Sequence, residues 1–142
     1  MIQRVQTVWL LIAAIAVFLT LKFSFYSGTL TNTSTIVTKD LFHSMAASDN
    51  FFIMVLTSAL GCALVINIFL FKHRTLQFRI SIMAILLEVL ILFLYYRQTK
   101  IYTNGSLDIW AIFHFIAIIA LIFAVRGIYK DEKLIKDSNR LR

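Results

Sequence analysis

The chain has 142 residues, 60% hydrophobic and 15% charged, with a formal charge of +7 and a single cysteine, Cys62. Soluble domains run at roughly 45–50% apolar and about 25% charged, and a chain this short has too much surface for its volume to hide the excess from water. That composition argues against a water-soluble globule, and one cysteine rules out an internal disulfide framework or a CxxC redox centre.

The first apolar segment runs from about residue 6 to about residue 26 and contains VWLLIAAIAVFLTL. It is longer than a leader-peptide core and no A-x-A-like site follows it, so it reads as a retained anchor. Thr7, Ala13, Ala16 and Thr20 form a small-residue stripe along it. Residues 27–50 then make the one sizeable loop. Its first part, SGTLTNTSTIVTKDLF, is rich in β-branched residues with Asn32 at a turn position. This suits a short hairpin, with a flexible polar loop as the alternative.

The second segment, from about residue 51 to about residue 71, carries Asn67 near its far end and a small-residue face of Ser58, Gly61 and Cys62. Such faces let helix backbones approach closely in lipid, within the bundle or against a neighbouring protein. Cys62 itself reads as a small hydrophobe rather than a nucleophile. The third segment, about 76–96, places Ser81, Ala84 and Glu88 on one helical face, with Tyr95 further along. KIYTNGSLD follows, readable as a strand that ends at an Asn104-Gly105 turn. The fourth, about 107–126, aligns His114 with Ala111, Ala117, Ala120 or Leu121, and Ala124.

Each segment is close to the roughly 20 residues that cross a bilayer as a helix, and with no proline the helices have no built-in kinks. The fold class is therefore an all-α integral membrane protein, a four-transmembrane-helix bundle over residues 1–127, followed by a basic tail, 128–142.

Charge sets the orientation. Arg4, Lys72, Arg74, Arg79, Arg126, Lys130, Lys133, Lys136, Arg140 and Arg142 fall on one side, ten in all; Lys22, Lys39, Arg97 and Lys100 fall on the other. Positive residues accumulate on the cytoplasmic side, so both termini are expected there. Clustering at span edges explains the basic balance without nucleic acid. Tyr26, Tyr95, Tyr96 and Trp110 near one interface and Trp9 and Tyr129 near the other fit the same frame.

Glu88 is the most informative residue. An ionised carboxylate in hydrocarbon costs about 2.5 kcal/mol or more, so it must pair, face water or stay protonated. His114 is the obvious partner, since both lie at similar depth from the same surface, about 10–13 Å at 1.5 Å per residue. The pair reads either as a proton- or ion-responsive site or as a buried polar clamp between helices; the two residues need not touch at all.

In the tail, Ile128, Leu134, Ile135 and Leu141 take one side of a helical wheel while Lys130, Lys133, Lys136 and Arg140 take the other. With Arg142, these cations suit anionic lipid headgroups or a docking partner. A solvated extension of the fourth span is the plainer alternative.

No nucleophile elbow, phosphate loop or metal-ligand cluster stands out, and His43, His73 and His114 fall at three different depths. No enzyme, cofactor or metal is expected. A transporter or channel working through Glu88 and His114 would need a homo-oligomer, because unbroken spans show no midplane site of the usual kind. The favoured class is a non-catalytic membrane subunit, an accessory, assembly or scaffolding part of a larger complex.

The opening MIQRVQTVWLL and the close RGIYKDEKLIKDSNRLR resemble a family of small four-span inner-membrane proteins from Bacteroidota, a domain of unknown function. The resemblance implies a bacterial inner membrane and a cytoplasmic tail, and no activity.

Overall fold

The computed structural model describes residues 2–30, 42–71 and 73–140. In chain order the elements are α1 (Ile2–Lys22), β1 (Tyr26–Leu30), β2 (Phe42–Met45), α2 (Phe51–Phe69), α3 (Arg74–Thr99), β3 (Tyr102–Leu107) and α4 (Ile112–Arg140). All four helices are long and apolar enough to cross a membrane, which makes the chain a multi-pass membrane protein in kind. Asn32 and Lys39 of the expected hairpin tip, Lys72 and Arg142 lie outside the described residues.

Each helix packs on its neighbours in sequence, and α4 closes the ring against α1. Composition explains that closure. Ala13, Ala14 and Ala16 of α1 and Ala117, Ala120 and Ala124 of α4 are all buried, and such small side chains let two helices approach where lipid supplies no hydrophobic drive between them. Trp9 stacks on Phe123 across the same seam at 4.9 Å. Larger apolar residues, among them Met83, Leu86, Phe93, Phe115 and Ile119, are exposed on the outside, the arrangement of a helix solvated by lipid tails.

The strands form one antiparallel sheet, ordered β2-β1-β3. It sits at the end of the bundle where α1 and α3 finish and α2 and α4 begin. The first loop thus supplies a β1–β2 hairpin, and the second loop adds β3 to its free edge. Asn104-Gly105 is not the turn expected from the sequence: both residues lie inside β3. Gly105 pairs with Gly28 of β1, and a methyl group on Gly28 would fall 2.6 Å from the Gly105 Cα. These glycines serve the close approach of two strands.

α4 continues without a break to Arg140, so the fourth span and the residues that follow it form one helix. The 29-residue helix is about 44 Å long at 1.5 Å per residue, more than a hydrocarbon core needs. Gly127, the only helix breaker in this stretch, is packed: a Cβ there would meet Gln6 Cγ of α1 at 2.8 Å. Ile128 and Asp131 then extend the buried stripe beyond the apolar run.

Candidate functional site

The buried residues of α3 are Gln77, Ser81, Ala84, Glu88, Ile91 and Tyr95. Their spacing alternates between four and three, which keeps one face turned to neighbouring helices along the whole length. α4 answers with His114, Ala117, Ala120, Leu121, Ala124 and Ile128, and Ala111 just before it is buried too.

Where these faces meet, Nδ1 of His114 lies 2.7 Å from Oε1 of Glu88, with the two residues 1% and 0% exposed. The contact gives a buried ring nitrogen and one buried carboxyl oxygen a hydrogen-bond partner, which is what makes such groups tolerable inside the bundle. Aromatic rings close the site. Phe25 stacks on Tyr95 at 4.5 Å, and both rings meet the imidazole edge-on, at 5.5 and 5.2 Å. The second Glu88 oxygen, Oε2, and the Tyr95 hydroxyl are buried without a protein partner. A buried orphan of this kind costs about 1–3 kcal/mol, so the site retains unspent capacity for a proton or a water.

Two turns along α3 lies a second polar layer. Asn67 of α2 donates from Nδ2 to Ser81 Oγ at 2.8 Å, Ser81 donates to the Gln77 carbonyl at 2.8 Å, and Gln77 Nε2 donates to the Asn67 carbonyl at 3.2 Å. This layer joins α2 to α3 as the first joins α3 to α4. Farther along, Arg74 lies 3.6 Å from Asp131 of α4. At the sheet end, Asp108 accepts hydrogen bonds from Ser24 and from Ser27, the latter at 2.7 Å, and its backbone N–H donates to the Phe25 carbonyl at 3.1 Å. That knot seats Phe25 over the histidine. Nearby, Tyr102 packs edge-on to Tyr26; burial first and the Asp49 carboxylate second push its phenol above the ordinary range.

The other sequence candidates are placed as follows. Gly61 is buried and abuts Phe18 of α1, whereas Ser58 is half-buried and Cys62 exposed. The inward face of α2 is Ile53, Thr57, Leu60, Gly61, Leu64 and Asn67, so within the bundle Gly61 belongs to the packing face and Cys62 faces outward. Ser81, Ala84, Ala117 and Ala124 are buried. Lys130 and Lys133 are exposed, Leu134 is exposed rather than docked, and the side chains of Lys136 and Arg140 lie outside the described residues. Among the described residues no group of three metal-ligating side chains converges.

Sequence reading missed Phe25, Ser24, Ser27 and Asp108, whose meeting depends on the path taken after α1. It also missed Gln6, Gln77, Arg74 and Asp131. Their signal was present: polar residues at the rim of apolar runs, in phase with the buried faces.

Neither a curated protein nor a solved structure matches the chain. The model of a domain of unknown function, DUF4293, matches residues 2–141, and the chain belongs to that family.

Proposed function

We propose that this chain is a non-catalytic integral membrane subunit of a bacterial inner membrane, with both termini cytoplasmic, acting as an accessory, assembly or scaffolding component of a larger complex. One observation supports the reading above others: three polar side-chain pairs inside the bundle join α2 to α3 and α3 to α4. Glu88 holds His114, Asn67 holds Ser81, and Arg74 faces Asp131. What the bundle offers neighbours is apolar helix surface, a small sheet and a basic helix end. The excess of ten Lys and Arg against four supports the orientation.

Purification in mild detergent, with identification of co-purifying proteins, tests this reading. A membrane partner at fixed stoichiometry is expected; a homogeneous monomer or homo-oligomer that retains full cellular function contradicts it.

A second reading is favoured by the orphan Glu88 Oε2 and Tyr95 hydroxyl, atoms that a pure clamp would leave no reason to strand. In it the chain is a proton- or ion-responsive homo-oligomer working through Glu88 and His114. Proton flux into liposomes that disappears in Glu88→Gln would establish it over the first.

A further inference from the structure

At the end of the bundle opposite the sheet, a cavity of about 430 Å³ opens between α1, α2 and α3, lined by Gln6, Thr7, Ile68, Phe69, Phe71, Arg74 and Gln77. We propose that it binds one anionic phospholipid, with the phosphate on Arg74 and an acyl chain along Ile68, Phe69 and Phe71. The inference rests on the bilayer reading of the chain and is independent of the subunit assignment.

Three observations carry it. First, the polar wall is rich in donors. The Arg74 guanidinium lines the cavity and stays partly exposed, and its 3.6 Å approach to Asp131 is longer than a hydrogen bond. Arginine presents five N–H groups in a fork that fits phosphate oxygens. Asp131 therefore orients the group without using it up. Gln6, which lines the cavity, is 7% exposed, and its Nε2 has no hydrogen-bond partner. Second, the rest of the wall is apolar and aromatic, unsuited to a free inorganic ion and suited to a lipid tail. Third, the field at this end favours anions: among the described side chains there, Arg74, Arg79, Arg126, Lys130 and Lys133 outnumber Asp131 and Glu132.

The site differs from the basic helix end of α4. Lys130 and Lys133 are exposed and attract a charged surface without selecting one molecule, whereas the cavity selects by a buried amide, a fork and a greasy wall together.

The test is native mass spectrometry of the full chain released from detergent, titrated with palmitoyl-oleoyl phosphatidylglycerol, with the phosphatidylcholine of the same chains, and with inorganic phosphate as competitor. One phosphatidylglycerol is expected to be retained, about tenfold more tightly than phosphatidylcholine, the order of one charge-assisted contact. Arg74→Gln should remove the preference, the pair Lys130→Gln/Lys133→Gln should leave it within about twofold, and millimolar phosphate should not displace the lipid. Because Arg74→Gln also removes the contact with Asp131, Gln6→Leu, close in shape and leaving Arg74 in place, carries the test should the first variant melt early. Equal retention of both lipids, displacement by phosphate, loss through the lysine pair alone, or unchanged binding in Arg74→Gln or Gln6→Leu would overturn the proposal.

Discussion

Glu88 and His114 satisfy each other at 2.7 Å inside a ring of Phe25, Tyr95 and small residues, so removing one strands the other. Glu88→Leu or His114→Leu alone should lower stability in detergent by about 1–3 kcal/mol. The double variant should recover part of that loss, with a coupling of about 0.6–1.7 kcal/mol for a buried interhelical hydrogen bond. Reversible unfolding in mixed micelles reads both quantities, and strictly additive losses would show that the pair does not clamp α3 to α4. The depth match of the two residues is legible in the sequence, because distance from a span end converts directly to depth. The aromatic lid is not. Phe25 reaches the site because Asp108, 81 residues beyond Ser27 and 84 beyond Ser24, binds both hydroxyls, and no local pattern encodes a contact across that separation.

At the scale of elements, the sheet depends on two glycines. Gly28→Ala sets a methyl group 2.6 Å from backbone atoms of Gly105. Backbone has nowhere to turn, so a loss of about 1–3 kcal/mol is expected. Gly61→Ala should cost less, since its methyl meets the outer end of the Phe18 ring at 2.8 Å, and that ring can rotate toward lipid. Thermal melts of the two variants side by side check the order. Alkaline pH acts on the same sheet. The Tyr102 phenol is held above its ordinary value of about 10, so the folded state favours the neutral form. The associated stability is complete below pH 10 and is lost as pH rises through the folded value. Tyr102→Phe should therefore lose less stability between pH 9 and pH 11 than the parent. The sequence left a hairpin and a flexible polar loop both open, and the β-branched run that suggested the hairpin falls mainly outside the described residues; Asn-Gly is the usual mark of a turn and misplaced the end of β3. Which small residue of α2 faces the bundle was hidden for a related reason. Small residues occur all round that helix, and only its contacts with α1 and α3 choose Gly61 over Cys62.

For the molecule as a whole, hydropathy makes the four spans legible, because no other solvent accommodates such runs. The ring order α1-α2-α3-α4 was not legible. Apolar helices carry almost no sequence record of their neighbours, and the deciding signal lies in small faces and rim residues such as Gln6, Gln77 and Asp131. Continuation of the fourth span into the tail was one of the alternatives the sequence left open: hydropathy ends near Arg126, whereas helicity and packing continue.

The claim on which the rest depends is that the two ends of the bundle lie on opposite faces of a bilayer, with the sheet outside. It is tested most directly by a membrane-impermeant maleimide applied to bacterial cells that express single-cysteine variants in a Cys62→Ala background. Asn104→Cys in β3 and Lys133→Cys in α4 are both exposed positions. The account predicts labelling of Asn104→Cys in intact cells and of Lys133→Cys only after the inner membrane is opened. Labelling of Lys133→Cys in intact cells, or of both variants from one face, would contradict it.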